Sequence, residues 1–179
     1  MADIELENLR ILFYPHPALR ERAEEVTDID GKLISIAKRM EALMYEAEGV
    51  GLAAPQVGIG RRFVVVRMPL GSEEGFAPPE LYINPVILER EGAIEDVEGC
   101  LSIPGLRGKV RRSARVLVAA YDKEGNEVRI EAEGLGARLW EHEVDHLNGE
   151  LFIDKLNPAS RIALKRKLAE LERQFKRGK

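Results

Sequence analysis

The sequence predicts an α+β fold in which mostly antiparallel short sheets pack around a central helix. One further helix is predicted in the N-terminal half and another at the C-terminus. Two observations support this class. Short β-rich runs occupy the middle of the chain without helices between them, and helical spacing of apolar residues is confined to the segments on either side.

The first predicted helix contains apolar residues that recur at helical spacing from Leu33 to Met44. Asp28 or Asp30 supplies a side chain that can cap its N-terminus. Gly49 is the first glycine after this run, and we expect the helix to end there.

Four β-rich runs follow, at residues 62–68, 81–89, 114–121 and 127–132. The last two are joined by the turn-forming sequence DKEGN, which favours antiparallel pairing. Residues 69–80 are rich in glycine, proline and acidic side chains, and this composition predicts a surface loop.

Two helices are predicted after the strands. The first covers about residues 135–147 and is stopped by Gly149, and the second covers about residues 158–175. We treat residues 1–179 as a single domain, with 158–177 as its basic C-terminal helix.

Composition excludes several classes of protein. The chain has 179 residues, one cysteine and a net charge of -4, which rules out a disulfide framework and argues against DNA binding. No apolar stretch is long enough to span a membrane, and the acidic N-terminus does not resemble a secretory signal. The sequence therefore predicts a cytoplasmic protein without a membrane partner.

A metal-site pattern lies in the second helix, where HEVDH places His142 and His146 four residues apart with Glu143 between them. Four residues at about 100° each return to nearly the same helix face, so both imidazoles can reach one ion. The alternative is a solvated amphipathic helix, and it is supported by the flanking charged residues Arg138, Glu141, Glu143, Asp145 and Glu150.

A catalytic metal site needs a third protein ligand and an open position for water. Cys100, in EGCLS between two β-rich runs, is the candidate that a loop or strand end would present. A buried, chemically inert cysteine is the alternative, and Glu150, Glu170 and Glu172 remain open as ligands. His16, between two prolines, is interpreted as a turn residue, because a fourth protein ligand would close the site.

The segment GVGLAAPQ, from Gly49 to Gln56, directly follows the first helix. Its small residues allow close backbone approach, and taken alone it is typical of a helix C-cap and tight connection. It is not a phosphate-binding loop, because no Lys-Ser/Thr pair follows the glycines.

Taken together and in this order, GVGLAAPQ, EGCLS and HEVDH resemble the bacterial-type peptide deformylase family, which removes the formyl group from newly made peptides. The resemblance extends to YPHPALR and LNGELFID, and so covers most of residues 11–155. It implies that Cys100, His142 and His146 bind one divalent metal ion. Fe²⁺ is implied as the physiological ion, with Zn²⁺, Ni²⁺ or Co²⁺ as substitutes.

The resemblance also implies that residues 1–179 form a single catalytic metallohydrolase domain, and it implies the catalytic roles. A metal-bound hydroxide would attack the formyl carbon of formyl-methionine, and Glu143 would act as general acid/base. The Gln56 side-chain amide and the Leu101 backbone N–H would donate to the carbonyl oxygen under attack. Residues that would bind the substrate are Val50, Gly51, Gly99 and Leu139.

The chain departs from the family at Glu141, where the family usually has glutamine. A helical neighbour of His142 points about 100° away, so we do not expect Glu141 to be a ligand. We expect it to influence the groups around the ligands, and through them metal preference.

Two other functions remain to be separated from deformylation. One is an HExxH metalloprotease that cleaves internal peptide bonds, and EGCLS and GVGLAAPQ argue against it. The other is a non-catalytic, metal-stabilised binding module that works through the C-terminal helix.

The C-terminal segment from Ser160 to Lys179 has eight basic and two acidic residues, a net charge of +6. An apolar stripe can dock this helix on the domain, and its members are Leu164, Leu168, Leu171 and Phe175. A solvated basic face is the common role of such a surface. The family resemblance implies ribosomal RNA as the alternative partner.

Overall fold

The structure is a computed structural model that describes residues 5–71 and 75–177. The described chain contains helices α1 (Gly31–Glu46), α2 (Gly134–Leu147) and α3 (Pro158–Arg177). Its strands are β1 (Gly51–Ala53), β2 (Phe63–Val66), β3 (Pro69–Gly71), β4 (Gly75–Phe76), β5 (Glu80–Glu91), β6 (Ile94–Cys100), β7 (Ile103–Arg112), β8 (Arg115–Tyr121) and β9 (Glu127–Glu133). The predicted α+β class is confirmed.

The main sheet has the strand order β1-β2-β5-β8-β9, and every neighbouring pair is antiparallel. Successive side chains of β2 point to opposite faces, as the pleat requires. Phe63 and Val65 pack in the cluster that contains α1, whereas Val64 and Val66 pack with α2. The sheet therefore lies between these two helices, and all four β2 side chains are buried.

Helix α1 forms because one face of its sequence is apolar and its first turn is capped. Asp30 is the cap: its Oδ1 accepts a hydrogen bond of 2.7 Å from the backbone N–H of Leu33. The helix ends at Glu46, three residues before Gly49. Its buried residues are Leu33, Ile36, Ala37, Met40, Leu43 and Met44.

Two segments differ from the sequence-based expectation. The predicted surface loop at residues 69–80 contains the short paired strands β3 and β4. The segment 49–56, interpreted as a helix cap and connection, also supplies β1, which pairs with β2 at the edge of the main sheet. β1 has only three residues, too few for a periodic pattern to reveal it.

Strands β6 and β7 form a separate two-stranded hairpin that no predicted strand covered. Inward and outward residues alternate along β7, but one of the inward positions is the buried Arg112. A charged residue on the inner face hides the apolar alternation that identifies a strand. The hairpin places Cys100 at the end of β6, in agreement with the expected loop or strand end.

Residues 12–24, which we call the strap, run across several of these elements. Their backbone N–H groups bond to carbonyl groups on segments far apart in sequence. Leu12 donates to Gln56, Tyr14 to Ser102, and Ala23 to Leu147. The strap therefore joins the loop after β1, the β6–β7 turn and the end of α2.

Helix α3 docks on the hairpin through its apolar stripe. Leu164 is buried with Ile103, Leu106 and Val110 of β7, and Leu168 and Leu171 pack against the same cluster. At the distal end, the ring of Phe175 meets the ring of His16 edge-on at 6.2 Å. Within the described ranges, no helix combines the length and apolarity needed to cross a membrane.

Candidate active site

Helix α2 carries His142 and His146 one turn apart, with their Nε2 atoms 3.1 Å from each other. The Cys100 Sγ at the end of β6 lies 3.2 Å from the His146 Nε2. One ligand atom from each of the three residues lies within 4.8 Å of the others. The structure thus brings the three sequence-predicted ligands together.

The donor set fits a divalent metal ion. Ligand atoms about 2.0–2.3 Å from one ion at tetrahedral angles lie about 3.3–3.6 Å apart, and the two short separations here are close to that. His142 donates from Nδ1 to Glu98 Oε1 at 2.6 Å, which leaves its Nε2 lone pair directed to the cluster. One thiolate and two imidazoles suit Zn²⁺, Fe²⁺, Co²⁺ or Ni²⁺.

Glu143 lies beside this cluster and is only 2% exposed. Its Oε2 is buried and has no hydrogen-bond partner among the described residues. Burial raises the pKa of this carboxyl group to about 7. A buried carboxyl group with a pKa near neutrality can both accept and return a proton.

Gln56 is held rigidly in the wall of the site. Its Oε1 accepts from the backbone N–H of Ala53 at 2.8 Å. Its Nε2 donates to the Ser102 Oγ at 3.1 Å and lies 3.5 Å from the Cys100 Sγ. The amide is therefore directed to the ligand cluster with its rotation fixed by two partners.

An open cleft of about 760 Å³ leads to the cluster, and both β1 and the β6–β7 hairpin contribute to its walls. Leu101 lies in the turn between β6 and β7 and contributes to the lining. The lining includes all four residues expected to bind the substrate, namely Val50, Gly51, Gly99 and Leu139.

Glu98 and its partners form a buried ionic network that the sequence did not reveal. Arg112 donates to both Glu98 oxygens, at 3.0 and 2.6 Å, and also to Asp145. Arg138 adds a bond of 3.1 Å to Glu98. Burial would raise the pKa of Glu98, but hydrogen bonds from His142 and Arg112 lower it below its usual range.

The burial of this network contradicts the alternative interpretation of α2 as a solvated amphipathic helix. Arg138 and Asp145, which were counted among its solvent-facing charges, are both buried. Glu98 lies within the EGCLS motif, two residues before Cys100, and this position is the one sequence feature that could have identified it as part of the site. No sequence feature identified Arg112 as buried, because it stands in a run of basic residues that is typical of an exposed segment.

Glu141 lies outside the ligand cluster, as expected. Its carboxylate accepts from the backbone N–H of Ser113 at 2.7 Å and from the Nε of Arg90 at 3.2 Å. These bonds tie α2 to β5 and to the connection between β7 and β8. Within the described chain, its hydrogen bonds reach none of the three cluster residues, and its effect on metal preference stays a prediction.

The other candidate ligands lie outside the cluster. His16 is at a turn, where its Nδ1 accepts from Ala18 N at 3.2 Å. Glu150 pairs with Lys155 at 2.9 Å, and Glu172 accepts a hydrogen bond from Tyr14. Glu170 is exposed on α3.

An α+β fold with two helix-borne histidines, a facing cysteine and a buried glutamate in an open cleft defines a metallohydrolase. Residues 8–161 match the family model for polypeptide deformylase. The chain is 48% identical over 166 residues to a peptide deformylase of Alkalilimnicola ehrlichii, covering 93% of this chain and 92% of the relative.

Solved structures give the same result. A peptide deformylase from Plasmodium falciparum superimposes with a TM-score of 0.86 at 40% identity, covering 93% of this chain and 97% of that one. A plant peptide deformylase gives 0.90 at 31% identity, with 99% and 96% covered. The chain belongs to the polypeptide deformylase family, whose members are metal-dependent hydrolases.

Proposed function

We propose that this protein, as one catalytic domain, removes the N-terminal formyl group from formyl-methionine of nascent polypeptides and releases formate. The observation that supports this most directly is the convergence of Cys100, His142 and His146 next to the buried Glu143. An open cleft leads to this group, as a polypeptide substrate requires. The three residues would hold one divalent ion.

A divalent ion held by these residues would lower the pKa of water, to about 7 in favourable zinc sites, and so would supply hydroxide at neutral pH. Glu143 would accept the proton that this water loses and return it to the leaving nitrogen. Its burial supports that role, because no described group competes for Oε2.

The Gln56 amide and the Leu101 N–H would stabilise the negative charge that develops on the formyl oxygen. The fixed orientation of Gln56 supports this role, because a preorganised donor need not reorient during the reaction. In other enzymes the loss of one such donor costs on the order of 3 kcal/mol.

The substrate would lie along the cleft between β1 and the β6–β7 turn. Val50 and Leu139 would contact the methionine side chain, whereas Gly51 and Gly99 would allow the peptide backbone to approach closely. Their shared position in the cleft lining supports this assignment.

Fe²⁺ is our proposal for the physiological ion, with Zn²⁺, Ni²⁺ and Co²⁺ as substitutes. The cysteine–histidine donor set accepts all four. We therefore expect loading conditions, including the exclusion of oxygen, to affect which ion occupies the purified protein.

The test is hydrolysis of formyl-Met-Ala-Ser under anaerobic conditions after loading with each ion, with formate release and bound metal measured together. Glu143→Gln should retain the metal and lose at least about 100-fold in turnover, because it removes the proton acceptor. Near-normal turnover in that variant would remove Glu143 from its proposed role.

The same assay separates the alternatives. A metalloprotease would cleave a peptide blocked at both ends, and a non-catalytic module would bind one ion without releasing formate. We expect neither result.

We further propose a cytoplasmic location and a contact between α3 and ribosomal RNA. The net charge of +6 from Ser160 onward supports this contact, since α3 docks through its apolar side. Removal of residues 160–179 should weaken ribosome binding at low salt, measured by cosedimentation. Unchanged binding would exclude α3 as the contact.

A further inference from the structure

A second cleft lies behind α2, and we call it the rear cleft. Its volume is about 640 Å³. It is lined by the end of the strap, by β5, by Val144 of α2 and by Asn148 directly after α2. Val144 is two residues from both His142 and His146, so it faces about 200° away from them. The rear cleft is therefore distinct from the catalytic cleft.

Arg62 is the buried charged residue of this cleft, with only 9% exposure. Its NH1 group donates to the carbonyl of Leu147 and to the Oδ1 of Asn148, both at 3.0 Å. NH2 has only a long contact of 3.5 Å to the carbonyl of Pro85, and Nε bonds to no described residue. The Nε–NH2 edge, which can bind a carboxylate through two hydrogen bonds, is thus largely unused.

The charges of the rear cleft leave this guanidinium without a paired anion. Arg90 bonds to Glu141, and Glu24 bonds to Arg61. Arg22 and Arg62 form no ion pair within the described ranges, and Glu25 is the one further acidic residue of the lining. Two unpaired cations against one carboxylate leave an excess of one positive charge, and a buried cation without a paired anion favours anion binding.

Apolar groups stand next to these cations. Ala23, Ile87 and Val144 line the rear cleft, and Val86 lines it while remaining 51% exposed. An exposed valine next to unpaired guanidinium groups suits a ligand with an acidic head and an aliphatic body.

We propose that the rear cleft binds a small carboxylate with a short aliphatic chain. The carboxylate would pair with the Nε–NH2 edge of Arg62 and with Arg22. The aliphatic chain would lie against Val86 and Ile87. This site is independent of deformylation, and its occupancy does not require the reaction.

The test is a titration of ¹⁵N-labelled, Zn²⁺-loaded protein with sodium hexanoate, followed by NMR. Amide signals of Ala23 and Ile87 should shift in a saturable manner. Shifts restricted to Gly51 and Leu101 would place the carboxylate in the catalytic cleft and overturn the proposal. Inorganic phosphate in a parallel titration should bind more weakly than hexanoate. Tighter binding of phosphate would overturn the proposal that the ligand carries an aliphatic chain.

Substitutions test whether Arg62 and Arg22 bind the carboxylate. Arg62→Gln should weaken hexanoate binding on the order of tenfold, since it removes charge-assisted hydrogen bonds. Arg22→Gln tests the same site at an exposed position, and should weaken binding even if Arg62→Gln fails to fold. The matched control is Arg129→Gln on β9, outside the rear cleft, and it should bind normally. Equal affinity in all three variants would overturn the assignment.

Discussion

Gly51 is the residue whose missing side chain leaves room for Glu143. A Cβ atom at Gly51 would stand 2.3 Å from the Glu143 Oε1 and 2.8 Å from the Leu139 Cδ1. Real Cβ atoms essentially never approach other atoms this closely, so a larger residue at this position must shift the side chains of Glu143 and Leu139. The proposed proton acceptor is therefore positioned partly by the strand that faces it.

Gly51→Ala should lower turnover of the formylated peptide at least about tenfold while metal content stays unchanged, because misplaced catalytic groups are costly. Steady-state kinetics with metal analysis measures both quantities. Gly60→Ala is the matched control, since a Cβ there meets nothing within 4 Å. Full activity in Gly51→Ala would mean that Glu143 adjusts without cost.

Glu98 contacts the proposed ligand cluster through the Nδ1 of His142. Glu98→Gln removes the charge that holds the Nδ1 proton, so metal affinity should fall about 10- to 100-fold. Competition with a chromophoric chelator measures that affinity. Glu91→Gln, at an exposed end of β5, is the control. Equal affinity in both variants would restrict Glu98 to a structural role.

The sequence predicted the cluster and not the network that supports it. Cys100, His142 and His146 are identifiable because metal chemistry requires particular residue types at particular spacings. Arg112 and Asp145 carry no such signature, since their burial depends on mutual pairing across 33 positions in the chain. Long-range pairing of charges is decided by tertiary structure alone.

At the scale of the elements, α3 is attached to the hairpin by a narrow stripe. Leu164 is 8% exposed and packs on β7, whereas its neighbour Ile162 is 77% exposed. Two aliphatic residues of one helix thus differ almost entirely in burial, and they allow a direct measurement of the docking energy.

Leu164→Ala should lower the free energy of unfolding by about 2 kcal/mol, because it removes buried methyl groups and leaves a cavity. Ile162→Ala should change it by less than about 0.5 kcal/mol. Urea denaturation of both variants provides the comparison. Equal destabilisation would show that α3 does not dock as the structure has it.

The long helices and the four predicted β-rich runs, which form β2, β5, β8 and β9, were predicted well, but β1 and the β6–β7 hairpin were not. Helix α1 has six buried residues at regular spacing and a capping aspartate, so its local signals agree. β1 has three residues, and β7 carries Arg112 on its inner face. In these strands, pairing partners far away in sequence override a weak local pattern.

At the scale of the whole molecule, the ligand cluster joins two parts of the fold. Cys100 belongs to the hairpin, whereas His142 and His146 belong to the helix that covers the main sheet. A bound ion therefore stabilises the folded chain relative to the unfolded chain, by an amount that mass action sets.

Removal of the metal with a chelator should lower Tm. Free metal at about 1,000 times its Kd contributes about 4 kcal/mol, which corresponds to about 8–16 °C for a chain of this size. Differential scanning calorimetry measures the shift. Cys100→Ala should show little response to the chelator, and an equal response would indicate that the ion binds elsewhere.

The strap has a consequence for the order of synthesis. It is made early, but the carbonyl that accepts from Ala23 belongs to Leu147. At about 5–20 residues per second, roughly 6–25 seconds separate the two on the ribosome. During that interval the Ala23 N–H can bond only to water, because the end of α2 has not yet been synthesised. The contact between the strap and the end of α2 therefore forms only after Leu147 and both cluster histidines have been synthesised.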